Sequence, residues 1–263
     1  MMRKRVSRLL TVILALPMLE ALSDARSGNL ARPENAKPPR TRQVSRAGQK
    51  SERPRGTPLR NLTLVKEELI AYHDCQCDCG CYERDLVRTG GAALAFLRRY
   101  MEAHRRALSG PDPQPRPALV LDIDETALSN WEYIRRTDFA FSRVDYLGWE
   151  REMRATPIRP TLELFQFAKR QGLATIFITG RAESEREWTA KDLEGAGYRG
   201  WTLLVMRQAD SPQPAAEFKS AERKKLRAQG YLIVENVGDQ ASDIAGDAAI
   251  RSFKLPNPFY LVR

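Results

Sequence analysis

The sequence predicts an α/β fold: a parallel sheet with helices on both faces and a small helical, aromatic cap. Three observations carry this expectation. Short apolar runs near 118–123, 174–179, 201–206, 232–237 and 250–254 alternate with helical patterns near 160–171, 183–195, 216–229 and 240–247. Such alternation belongs to a parallel sheet covered on both sides. Three of the runs end in reactive side chains: Asp122 and Asp124, then Thr179-Gly180-Arg181, then Asp239 and Asp243. Open α/β sheets bind ligands at the carboxyl ends of their strands. Finally, residues 127–158 are too long for a plain connection between the first two strands. They carry Trp131, Tyr133, Phe139, Phe141, Tyr146 and Trp149, which reads as a cap or as aromatic packing against the sheet.

From the amino terminus, residues 1–25 read as a secretory signal. Arg3, Lys4, Arg5 and Arg8 form a basic start, and Leu9 to Leu19 is an apolar run too short to span a bilayer comfortably. Small residues for cleavage follow at Ala21-Leu22-Ser23 or Ser23-Asp24-Ala25. This predicts a periplasmic or secreted protein with no transmembrane helix in its mature chain. No cysteine follows the apolar run, which argues against a lipid anchor. Residues 26–60 are rich in Arg, Pro, Ser and Gly and poor in large apolar side chains. They cannot bury enough surface to offset the entropy of ordering, so a disordered basic linker is expected.

The formal charge of +10 belongs to this leader. Residues 1–60 hold 14 Lys+Arg against 4 Asp+Glu, whereas residues 61–263 hold 29 of each. A neutral body argues against nucleic-acid binding by the folded domain. His73 and His104 are the only histidines in the chain, which argues against a histidine phosphatase or a three-histidine zinc enzyme.

In the folded body, Leu62, Val65, Leu69 and Tyr72 recur at helical spacing, predicting an amphipathic helix over 61–73. Cys75, Cys77, Cys79 and Cys81 follow in alternation. In an extended run their sulfurs share one face, suited to a soft accessory metal; in an exported protein, disulfides compete. Residues 82–108 read as a second helical stretch with a kink or break at Gly90-Gly91, and Gly110 to Pro117 is a proline-rich link into the first strand.

The chemistry concentrates after that strand. In Ala118-Leu119-Val120-Leu121-Asp122-Ile123-Asp124-Glu125-Thr126, two carboxylates two residues apart point to one side of an extended chain. Adjacent carboxylates resist ionising together, and a hard divalent cation such as Mg2+ relieves the conflict. Spacing alone therefore supports a metal–carboxylate cluster at strand ends.

These runs, with Glu217-Phe218-Lys219-Ser220 at the start of a helical pattern and the ending Leu255-Pro256-Asn257-Pro258-Phe259-Tyr260, resemble the haloacid dehalogenase (HAD) superfamily. More narrowly, they resemble its acid phosphatase branch of class C enzymes and plant vegetative storage proteins, over roughly residues 61–263. The resemblance implies a Rossmann-like sheet of strand order 5-4-1-2-3, which sets the strand ending at Asp122 beside the one ending at Asp239. It implies phosphate monoesters as substrates, with Asp122 as nucleophile and Asp124 as acid and base. Mg2+ would be held by Asp122, Asp239 and the backbone carbonyl of Asp124, with Asp243 accepting from a metal-bound water. Thr179, Gly180 and Lys219 would meet the phosphate, and Tyr260 would line the leaving-group pocket. Arg181 is read either as a phosphate ligand or as a brace pairing with Glu183 or Glu185, and Thr126 as a turn-bonding hydroxyl. A storage or binding protein of the same fold is the alternative, as is a phosphotransferase passing the phosphoryl group to an alcohol. Intact Asp122, Asp124, Lys219 and Asp239 favour an enzyme.

Overall fold

The computed structural model describes residues 58–75, 81–108, 115–209 and 211–262. The expected signal, most of the basic linker, and Cys77 and Cys79 of the cysteine run lie outside the described residues. In chain order the elements are α1 (Leu62–Asp74), α2 (Tyr82–Ala103), α3 (Arg105–Leu108), β1 (Arg116–Leu121), β2 (Leu128–Ser129), α4 (Trp131–Arg136), α5 (Arg143–Glu152), β3 (Thr156–Pro157) and α6 (Arg159–Arg170). There follow β4 (Ala174–Ala182), a 3₁₀ turn (Glu183–Glu185), α7 (Arg186–Gly195), β5 (Leu203–Arg207), α8 (Ala215–Ala228), β6 (Tyr231–Gly238), α9 (Ala241–Ile244) and β7 (Arg251–Lys254). Among the described residues no helix is long and apolar enough to cross a membrane.

Five strands pair in parallel in the order β5-β4-β1-β6-β7. This is the expected order, with β1 between β4 and β6. Successive β1 side chains feed opposite faces, as strand geometry requires. Ala118 and Val120 pack with Ile176, Ile233 and, from α8, Phe218 and Leu226. Leu119 and Leu121 pack with Phe177, Val237 and residues of α2 and α6, including Leu97 and Phe165. Burial on both faces explains why β1 reads as a continuous apolar run. In the insert, β2 and β3 pair as a two-stranded antiparallel ladder, and α4 and α5 lie between them in sequence.

Two local expectations need correction. Gly90-Gly91 does not break its helix, since α2 runs unbroken through both. Gly90 instead lets α2 approach α6: a Cβ there would sit 2.4 Å from Pro160 Cβ. The break comes later, at His104, whose Nδ1 hydrogen-bonds the Tyr100 carbonyl oxygen at 2.9 Å. The helix expected over 240–247 is a single turn. Arg223 Nη1 at 2.5 Å and Asn236 Nδ2 at 2.9 Å donate to the Asp243 carbonyl, which a longer helix would have used.

Candidate active site

The site is built where β1, β4 and β6 end. The chain after β1 folds around the Ile123 carbonyl, which accepts N–H bonds from Thr126, Ala127 and Leu128. Glu125 takes a left-handed φ of 52° to close this turn. The turn sends Asp122 inward and leaves the Asp124 side chain 22% exposed. β6 delivers Asp239 beside them, while the first turns of α8 deliver Lys219 and α9 delivers Asp243.

Lys219 Nζ lies 2.5 Å from Asp122 Oδ1 and 2.5 Å from Asp243 Oδ1. Asp122, Asp239 and Asp243 are all buried, and they offer carboxylate oxygens within 4.8 Å of one another. Thr126 Oγ1 donates toward Asp239 at 3.2 Å and Asp122 at 3.4 Å, so its hydroxyl serves the carboxylates rather than the turn backbone. Asn257 Nδ2 at 2.7 Å and Gln240 Nε2 at 2.5 Å hold the other Asp239 oxygen. Burial, then the Asp243 charge, pushes the Asp122 carboxyl well above its ordinary range, and the same two causes raise Asp239. Burial works against the Lys219 ammonium, but the Asp122 and Asp243 charges outweigh it and hold the proton on. Three buried carboxylates thus share one lysine. A purely oxygen donor set short of positive charge fits a hard divalent cation. Gly238 makes room for this packing, since a Cβ there would sit 2.2 Å from Asp243 Cβ.

Asp124 has different surroundings. Arg181, fully buried on β4, donates to it from Nη2 at 2.6 Å and from Nε at 3.2 Å. Tyr146 Oη at 2.8 Å and Asn130 Nδ2 at 3.0 Å add two more hydrogen bonds. Burial alone would raise this carboxyl, but the Arg181 charge and these hydrogen bonds hold it below its ordinary range. A carboxyl that serves as both acid and base is commonly tuned upward; the direction here is the opposite. The two expected roles for Arg181 also need revision. It pairs with Asp124 and, at 3.2 Å, with Glu150, while Arg186 takes Glu183 and Arg143 takes Glu185.

Other singled-out residues fall as follows. Thr179 is fully buried, and its hydroxyl oxygen accepts the Arg181 N–H at 3.1 Å rather than lining the cavity. Gly180 and Tyr260 both line it, and Tyr260 Oη donates to Glu125 at 2.5 Å. His104 is exposed and stacked on Tyr100. His73 stacks on Trp131 at 3.8 Å between ring centroids, tying α1 to α4.

Sequence reasoning missed the supporting layer: Asn130, Tyr146, Trp149, Asn257, Arg223 and the Arg181–Asp124 pair. Trp149 Nε1 donates to Asn130 Oδ1 at 2.9 Å, so cap helix α5 reaches Asp124 both directly and through Asn130. Asn257 stood inside a motif run and Asn130 four residues past one, which was the legible signal; Tyr146 and Trp149 had none beyond being aromatic.

Above these groups lies a cavity of about 490 Å³ whose base holds Asp122, Asp124, Lys219, Asp239 and Asp243. Such a pocket, with convergent polar groups at one end, suits a small-molecule ester.

Residues 59–263 match the HAD superfamily, subfamily IIIB (acid phosphatase). The chain is 35% identical over 193 residues to acid phosphatase 1 of Solanum lycopersicum, covering 70% of this chain and 75% of that protein. It is 34% identical over 175 residues to the stem 28 kDa glycoprotein of Glycine max, spanning 64% of this chain and 65% of the relative. It is also 34% identical over 147 residues to vegetative storage protein 2 of Arabidopsis thaliana, spanning 54% and 56%. In fold it is similar to the class C acid phosphatase from Bacillus anthracis, with a TM-score of 0.59 at 19% identity, over 76% of this chain and 86% of that one. The chain belongs to HAD subfamily IIIB, the acid phosphatases.

Proposed function

We propose that this member of the acid phosphatase subfamily hydrolyses phosphate monoesters through an aspartyl-phosphate on Asp122, uses Mg2+, and acts in the periplasm or after secretion. The observation carrying the chemistry is the meeting of Asp122, Lys219, Asp239 and Asp243 at the base of one cavity, with Asp124 beside them. The export reading rests on residues 1–25.

Asp122, Asp239 and the Asp124 carbonyl are the ligands assigned to Mg2+, with Asp243 behind them. When bound, the ion would neutralise charge on the transferring phosphoryl group and orient it. The remaining steps belong to the chain. Asp122 attacks phosphorus in line, its oxygen bonding as the ester oxygen departs. Lys219, now 2.5 Å from Asp122, turns its ammonium to a phosphate oxygen as substrate enters. Asp124 gives its proton to the leaving oxygen, then takes one from the water that attacks the aspartyl-phosphate, releasing phosphate and Asp122. Because Arg181, Tyr146 and Asn130 favour the Asp124 anion, the proton-donating form grows as pH falls. That direction agrees with chemistry performed in acid.

The test is phosphate release from a panel of monoesters by purified protein with and without Mg2+. Turnover that requires the metal supports the reading. A folded protein that releases phosphate from none of them would favour the storage role.

A further inference from the structure

The phosphate end of the cavity is polar, but its outer part is apolar. Ile134, Phe139, Phe141, Phe259, Leu261 and Val262 line it. Two of them are also strongly exposed, Phe141 at 69% and Leu261 at 67%. The apolar lining therefore includes both buried and surface-exposed side chains of the same cavity that holds Asp122. Exposed, contiguous apolar side chains at a pocket mouth mark a ligand-contacting surface.

Three of the four cations lining the cavity are paired with carboxylates. Lys219 meets Asp122 and Asp243, Arg181 meets Asp124 and Glu150, and Arg143 meets Glu185. Arg207 donates through Nη2 to the backbone carbonyls of Ser211 and Gln213. A second phosphate or a carboxylate on the leaving group would have to compete with the carboxylates paired to Lys219, Arg181 and Arg143, and would find only the Arg207 Nε without a hydrogen-bond partner among the described residues.

We infer that the preferred substrates are amphiphilic phosphate monoesters, whose uncharged alkyl leaving group runs from the phosphate seat outward between Phe141 and Leu261. This rests on the phosphatase reading. The occupant is the substrate's own chain, because the apolar lining belongs to the same cavity that holds Asp122.

The experiment measures kcat/KM for ethyl, butyl, hexyl and octyl phosphate below their micelle concentrations, with the full-length protein and Mg2+. A 5′-mononucleotide and a sugar bisphosphate serve as polar comparators. Each methylene moved from water to the wall should raise kcat/KM by up to about fourfold, flattening once the chain reaches solvent. Phe141→Ser and Leu261→Ser should each lower the value for octyl phosphate several-fold more than for ethyl phosphate. A flat series, a preference for the bisphosphate or nucleotide, or a gain appearing only above the micelle concentration would overturn the inference; the last outcome would mean adsorption to an interface. Calorimetric binding of ethyl and octyl phosphonate with Mg2+ keeps the two readings apart. Chain-length-dependent affinity without turnover of any ester would retain the apolar chamber and remove the phosphatase. Turnover with no chain-length dependence in either measurement would do the reverse.

Discussion

Arg181 and Lys219 show what a buried cation does for neighbouring carboxylates. Arg181 compensates Asp124 and Glu150, and Glu150 has no hydrogen-bond donor of its own among the described residues. Replacing Arg181 with Gln leaves both carboxylates without their buried partner, which typically costs about 3–5 kcal/mol. The Asp124 carboxyl should also rise. Urea unfolding reads the first effect, and a shift of the kcat/KM–pH profile for an alkyl ester toward alkaline pH reads the second. A stable variant with an unmoved profile would contradict both. Asp122, Asp124, Lys219, Asp239 and Asp243 were legible because each stands at the end of an apolar run or in a motif segment. The pairing of Arg181 with Asp124 was not legible. The nearby Glu183 and Glu185 looked like sufficient partners, but Arg186 and Arg143 take them, the latter from the cap.

At the level of elements, the pair Gly90 and Gly91, and Gly238, separate sequence propensity from packing. Gly91 has nothing within 4 Å of an added Cβ, whereas a Cβ at Gly90 meets Pro160. Gly91→Ala should therefore stabilise α2 by roughly 0.5–1 kcal/mol, while Gly90→Ala should destabilise the protein by forcing α2 from α6. Thermal melts decide it, and equal effects from the two would refute the close-approach reading. Gly238→Ala should push Asp243 out of the cluster and weaken Mg2+ binding by about 10–100-fold, measured by calorimetry, as disturbed supporting groups generally do. The strands and most helices were readable because burial on both sheet faces writes long apolar runs, while the order of the strands was implied only by the resemblance. The exceptions were decided by partners distant in sequence. Pro160 straightens the account of Gly90-Gly91, and Arg223 with Asn236 captures the carbonyl that would have prolonged α9.

For the whole molecule, the charge balance of the interior sets how stability responds to pH and metal. Glu235 on β6 is fully buried with neither oxygen hydrogen-bonded among the described residues, and burial pushes its carboxyl up to about 9. A folded pKa above the ordinary 4.5 means the native state holds a proton the unfolded chain releases. Its contribution is full below about pH 4.5 and is lost progressively as pH rises toward about 9. Glu235→Gln should thus be more stable than the parent near neutrality, by a margin that widens from about pH 5 to about pH 8. A margin that shrinks over that range would contradict the assignment. Mg2+ should raise the melting temperature through mass action on the Asp122, Asp239 and Asp243 cluster, and chelation should reverse it. The gain should fade in acid, where the raised Asp122 and Asp239 carboxyls keep their protons.

The central claim is that Asp122, not Asp124, carries the phosphoryl group. It is tested most directly by acid-quenching the enzyme during turnover of a labelled ester and mapping the labelled peptide. Asp124→Asn, with an ester of an acidic phenol that departs without a proton, should accumulate the intermediate, because the base for its hydrolysis is gone. Phosphate on Asp122, and none in the Asp122→Asn protein, is the predicted result. Phosphate on Asp124 or any other residue would contradict the account.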